Sequence, residues 1–235
     1  MGEFSTLQKI TVWIIPVLFA ITVHEVAHGW VASRLGDMTA KMMGRLTLNP
    51  FKHIDPVGTI LIPAMTVLLA GFVFGYAKPV PVTYKNLNNP RRDMTLVALA
   101  GPFSNLLMAL FWVLWIKLTI SFSSEFSSTT LFLVATGIAG ILVNLILMVL
   151  NMLPLPPLDG GRVLAGLLPP RYAAYLSQIE PYGFIILVVL LLMGVLGKVI
   201  WPAIIFFLLW FSQMAGISTD DLSVILQALG AMKAG

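Results

Sequence analysis

The sequence predicts an all-α polytopic membrane protein. It should have five to six transmembrane helices, a small membrane-associated β-hairpin or sheet, and one re-entrant segment. Three observations carry this expectation. Of the 235 residues, 58% are hydrophobic and only 10% charged, with a mean hydropathy of +0.94, whereas soluble domains carry roughly 25% charged residues. A surface so poor in charge cannot be wetted, so the natural solvent is lipid. Long apolar runs fill residues 10–23, 57–74, 94–115, 131–150 and 184–211, and about 20 apolar residues cross a hydrocarbon core of roughly 30 Å. Finally, the stretches around residues 42–48 and 77–83 read as extended chain, one partly alternating and the other rich in proline.

The first long helix should run from about Leu7 to Leu35 and stop at Gly36. Lys9 followed by apolar residues resembles a signal peptide. The stretch runs straight into His24 and Glu25 with no convincing cleavage site, so it reads as retained. The hairpin stretch ends at Asn49-Pro50, and the proline-rich stretch suits only a sheet edge. Between them, residues 57–74 are interrupted by Pro63 and Gly71. The next long helix starts near Arg92 and carries Ala100-Gly101-Pro102. A Ser/Thr-rich loop follows at 121–130, then a helix from Leu131 to about Leu153 and a turn, Pro154-Leu155-Pro156-Pro157-Leu158-Asp159-Gly160-Gly161. Residues 182–211, broken by Gly194, Gly197 and Pro202, are two short spans or one kinked one. From Ser218 the pattern is an amphipathic interfacial helix. The chain therefore divides into a core, residues 1–217, and a tail, residues 218–235. It shows no internal repeat.

Charge sets the expected orientation. The Ser/Thr-rich loop lacks Lys and Arg, while Arg34, Lys41, Lys78, Lys85, Arg91, Arg92, Arg162 and Arg171 flank the opposite helix ends. Basic flanks face the cytoplasm. Both ends of residues 57–75 then fall on one side, which makes that segment re-entrant. The net charge of +4 reports this orientation and gives no case for nucleic acid.

The chain has no cysteine, so disulfides and thiolate metal sites are excluded. Any transition metal must be held by nitrogen and oxygen. His24-Glu25-Val26-Ala27-His28 has the H-E-x-x-H spacing. On a helix both imidazoles share one face and can reach one ion at about 2.0–2.1 Å. Glu25, one step round, can take a proton from a metal-activated water. Chance matches occur in soluble proteins. Here the ionisable groups follow an uncharged apolar run, where a charge costs roughly 2.5–3.5 kcal/mol, and two of only three histidines occupy the spacing.

A catalytic zinc takes three protein ligands. His53, Asp55, Asp37, Glu125, Glu180 and Asp159 are the candidates for the third. Glu125 lies in the loop at the wrong end. Asp159 follows the helix end that faces the two histidines, in a turn that Gly160-Gly161 lets fold closely, and is favoured over His53 or Asp55.

These segments resemble a known family. His24-Glu25-x-x-His28, Ala100-Gly101-Pro102-x-x-Asn105 and Asn151-x-x-Pro154-x-x-x-Leu158-Asp159-Gly160-Gly161 look like the signature segments of the site-2 protease family of intramembrane zinc metalloproteases, in the family's order. The resemblance covers roughly residues 11–163. It implies one Zn2+ per chain held by His24, His28 and Asp159, Glu25 as catalytic base, and single-pass membrane proteins as substrates cut within or near the lipid bilayer. Asn151 matches a family asparagine near the active site. It and Asn105 are candidates for binding substrate or the oxyanion, with helix packing the competing role. The chain resembles a short, core-only subgroup without PDZ or CBS domains, and residues 57–74 are extra to the minimal pattern.

A substrate helix must unwind before water can attack it, and an extended strand could be held on a sheet edge at residues 42–48 or 77–83. The expected setting is a prokaryotic cell membrane with the active site toward the cytoplasm. The alternative from another class is a proton- or metal-translocating transporter using the same ionisable groups.

Overall fold

A computed structural model of the chain describes residues 4–62, 65–66, 75–123 and 127–231. Helix α1, Thr6–Arg34, begins at a reciprocal cap: the Ser5 hydroxyl accepts from Gln8 N–H and the Gln8 side chain accepts from Ser5 N–H. It ends at Leu35, beyond which Gly36 adopts φ 108°, a conformation glycine tolerates best. A single turn, α2 (Thr39–Met42), and 3-10 turns at Pro50–Lys52 and Tyr84–Asn86 sit in the connection to the next span. A π-helix, Pro56–Leu61, sits there too.

Helix α3, Pro90–Phe122, starts with proline in its first turn, and α4, Ser128–Asn151, is capped by Ser127. The short α5, Asp159–Leu167, follows the proline turn, whose Pro156–Pro157 peptide is cis. Helices α6 (Pro170–Leu192) and α7 (Val195–Ala215) are separated at Gly194, φ 70°. Helix α8, Thr219–Ala228, closes the described chain.

Five of these, α1, α3, α4, α6 and α7, are long and apolar enough to cross a membrane. Their outward residues include Phe206, Trp210 and Leu114, all at least 51% exposed. In water these would be liabilities, and in lipid they are simply solvated. The protein is a multi-pass membrane protein.

The core forms where α3 packs on both α1 and α4, with α7 against α4. Val12, Ile116, Ile138, Ile141, Leu145, Ile204 and Phe211 are essentially fully buried there. Small residues let the backbones approach, as expected where lipid gives no hydrophobic drive: a Cβ on Gly140 would lie 2.5 Å from Trp112 Cγ. The tail helix turns Leu222, Ile225 and Leu226 into this core, and Leu229 O accepts from Trp13 Nε1 at 3.4 Å.

The β-hairpin or sheet is not formed: there is no strand among the described residues, and the sheet edge expected at residues 42–48 and 77–83 goes with it. The backbone groups a ladder would use are bonded elsewhere. Arg45 N–H donates to Ala40 O, Lys78 N–H to His53 O, Val80 N–H to Glu25 Oε2 and Thr83 N–H to Asp37 Oδ2. Gly44, at φ 64°, turns the chain away, and Pro79 and Pro81 have no N–H to give. Separately, most of the expected re-entrant stretch, 57–74, lies outside the described residues. Its two flanks do meet, Tyr76 N–H donating to Gly58 O at 2.9 Å. The broken stretch 182–211 resolves into two helices, the first starting earlier than expected, at Pro170.

Candidate metal centre

Helix α1 continues unbroken through residues 24–28, so His24 and His28 stand one turn apart with ring centroids 4.7 Å apart and planes at 86°. Their Nε2 atoms approach to 3.0 Å. Asp159, the first residue of α5, points Oδ2 at both, 3.2 Å from His24 Nε2 and 3.3 Å from His28 Nε2. All three are buried. Sequence spacing alone thus brought the imidazoles together, and the fold brings the carboxylate from 131 residues further on.

Glycines set this approach. A Cβ on Gly160 or Gly161 would run into the backbone of Met152–Leu153 or Leu155–Pro156, so only glycine lets α5 start tight against the end of α4. Arg91 then ties the far end of α5 to α3, donating to Gly166 O at 3.0 Å and to Leu168 O. On α3, a Cβ at Gly101 would lie 2.5 Å from His28 Cε1 and 2.6 Å from His24 Cε1. Gly101 is the space in which the two rings sit.

The second ring nitrogens are committed. His28 Nδ1 lies 2.7 Å from Val97 O and His24 Nδ1 lies 2.6 Å from Asn105 Oδ1. Both partners only accept, so each Nδ1 carries hydrogen and each neutral ring turns a lone pair inward at Nε2. This is the arrangement that metal-ligating histidines use. Asp159 Oδ2, buried, has no hydrogen-bond donor. Three lone-pair atoms within about 3 Å of each other repel unless a positive species sits among them. Two imidazole nitrogens and one carboxylate oxygen are a donor set zinc accepts.

The other sequence candidates are elsewhere. His53 Nε2 bonds Thr47 O, Asp55 caps the π-helix through Val57 N–H and Gly58 N–H, Asp37 anchors a loop, and Glu180 pairs loosely with Arg162 at 4.0 Å. Glu125 lies outside the described residues. Glu25 Oε2 accepts from Val80 N–H at 2.7 Å. Asn105 is fully buried beside His24, whereas Asn151 Nδ2 bonds its own helix at Leu147 O, 3.0 Å. Sequence reasoning missed Gly101 as the space-maker, the Val80 N–H, and Val97, whose contribution is a carbonyl that no side-chain pattern reveals. It also missed Asn144, an amide alone amid the apolar middle of α4 and legible as an oddity there.

The family model described as peptidase family M50 matches residues 12–194 of this chain, a span that includes every residue of the centre. Among curated proteins, YwhC of Bacillus subtilis (strain 168), whose name classes it with the zinc metalloproteases, is 42% identical over 194 residues, 80% of this chain and 84% of that protein. Rip2 of Mycolicibacterium smegmatis, classed the same way by name, is 32% identical over 203 residues, 86% of this chain and 73% of its own length. No solved structure matches the chain.

Proposed function

The chain belongs to peptidase family M50, the site-2 protease family, as a zinc metalloprotease, and from that premise we propose that it cuts membrane proteins within or next to their transmembrane segments. His24, His28 and Asp159 hold the zinc and Glu25 is the general base. The observation that carries this reading is the convergence of His24 Nε2, His28 Nε2 and Asp159 Oδ2 in one buried place with both Nδ1 atoms tied back.

Zinc bound there supplies Lewis acidity, polarising the scissile carbonyl and acidifying water. Glu25, adjacent on α1, takes the proton of the attacking water and returns it to the leaving amine. The Val80 N–H holds its carboxylate in place for that transfer. Asn151, at the C-terminal end of α4, is the candidate to steady the substrate. A transmembrane substrate must lose its own helical hydrogen bonds locally before its carbonyl can be reached. Single-pass proteins, which unwind without disturbing a bundle, are the substrates this favours.

The basic flanks favour a centre toward the cytoplasmic side of the membrane, and the bacterial relatives support a prokaryotic cell membrane as the setting. Residues 1–217 are taken as the catalytic core, with helix α8 running along the membrane interface. Family membership decides against the transporter alternative.

The test is paired. Purified parent and Glu25→Gln are compared for zinc content and for cleavage of a single-pass membrane substrate. We expect both to hold one zinc per chain, with cleavage by Glu25→Gln at least about 100-fold slower. Parental cleavage by Glu25→Gln would remove the assignment of the base, and flux of metal or protons without hydrolysis would remove the function.

A further inference from the structure

We propose that Asn144, acting through Asn105, sets which ring nitrogen His24 offers to the metal, so that α4 positions a ligand carried by α1. The inference rests on His24 being a zinc ligand.

Asn144 is fully buried in the middle of α4, and Asn105 is fully buried on α3. Amides in such surroundings must be bonded or they are costly. The bonds run in one direction. Asn144 Nδ2 lies 2.8 Å from Gly140 O. A helix carbonyl can only accept, so the amide nitrogen of Asn144 must point there, which turns Oδ1 toward Asn105. Asn105 Nδ2 donates to that oxygen at 2.9 Å and faces Ala20 O at 3.4 Å. With its nitrogen committed to acceptors, Asn105 must present Oδ1 to His24 Nδ1, at 2.6 Å. The hydrogen therefore sits on Nδ1, and Nε2 keeps its lone pair toward Asp159.

Reversing any link sets like groups against each other. His28 needs no such chain, because its Nδ1 faces the Val97 carbonyl, which cannot rotate. Asn105 by itself could turn over and offer its NH2 to the ring, and Nε2 would then carry the hydrogen and be closed to a metal. Asn144 removes that freedom. It is a positioning residue: its hydrogen bonds go to Asn105 and Gly140, and none reaches the ligand set or Glu25.

The experiment measures the zinc dissociation constant of the full chain by competition with a chelator of known affinity, beside the thermal melt of the zinc-stripped protein. Parent, Asn144→Leu, Asn144→Asp and His24→Ala are compared. Asn144→Leu should weaken zinc about 10- to 100-fold with the zinc-stripped melt close to the parent's. Asn144→Asp, uncharged in this apolar protein interior, keeps an oxygen for Asn105 and an O–H for Gly140, and should restore the parental constant.

A lowered zinc-stripped melt with an unchanged zinc constant in Asn144→Leu is the pattern of simple packing and overturns the proposal. If that variant does not fold, Asn144→Ala and Asn105→Leu take its place, with the same expected loss; parental affinity in either overturns it, as does weak zinc binding in folded Asn144→Asp. If the parent holds no zinc, or His24→Ala binds it as the parent does, the ligand assignment itself has failed, a result separable from failure at Asn144 alone.

Discussion

Replacing Gly101 with alanine tests the geometry of the centre without touching any residue that performs chemistry. The new Cβ would start 2.5 Å from His28 Cε1 and 2.6 Å from His24 Cε1, where ordinary contact begins at 3.4 Å. The nearest atom of all, His28 Nε2, would lie at 2.4 Å, so rings or helix must give by about 1 Å. Neither ring is free to retreat, because His24 and His28 are tied at Nδ1 to Asn105 and Val97. Overpacking of this kind costs about 1–3 kcal/mol in stability, and a misplacement of roughly 1 Å in a catalytic constellation costs about 100-fold in rate. We expect Gly101→Ala to fold, to retain well under one zinc per chain after gel filtration, and to cleave a membrane substrate about 100-fold more slowly. The control is Gly197→Ala on α7, where the nearest side-chain atom is Trp201 Cδ1 at an ordinary 3.5 Å. That change should leave both readouts alone and add roughly 0.5–1 kcal/mol of helix stability. Parental zinc and rate in Gly101→Ala would refute the reasoning.

Three further outcomes follow from other contacts. Val80→Pro removes the N–H that holds Glu25 Oε2; losing a hydrogen bond of about 1.5–3 kcal/mol to a charged acceptor should lower kcat about 10- to 100-fold while zinc content, read by atomic emission, stays at one. Gly160→Ala would press on Met152 O and Leu153 O and displace the start of α5, so zinc content should fall although every ligand is intact. Asp37, fully buried, accepts from Thr39 N–H, the Thr39 hydroxyl, Thr83 N–H and Asn86 Nδ2; burial raises its carboxyl, and these bonds together bring it below its ordinary value. Its contribution to stability is thus present above the unfolded value of about 3.9 and lost as pH falls through the lower folded value. Melts at successive pH values should show Asp37→Asn destabilised near neutrality and the gap to the parent closing only below about pH 4.

What the sequence made legible follows the physics of each element. Spans announce themselves because lipid demands about 20 apolar residues in a row, and the two histidines because one helical turn fixes their separation. Asp159 was legible through chain polarity: its helix had to end on the side where α1 ends. The hairpin misled because partial alternation at residues 43–48 reports the rhythm of side chains and says nothing of where the backbone N–H groups bond. In this fold the N–H groups of Met43, Gly44 and Arg45 go to the carbonyls of Thr39, Lys41 and Ala40, and those of Lys78, Val80 and Thr83 go to the His53 carbonyl, Glu25 and Asp37. The fixing of His24 was illegible for a similar reason, since its partners lie on two other helices and are ordered by a helix carbonyl.

The central claim is tested most directly by X-ray absorption at the zinc edge on the purified parent and on Asp159→Asn. We expect one zinc per chain with two imidazole nitrogens at about 2.0–2.1 Å and a carboxylate oxygen at about 2.0–2.2 Å, and a zinc that is lost or reorganised in the variant. An identical spectrum and full occupancy in both proteins would contradict it.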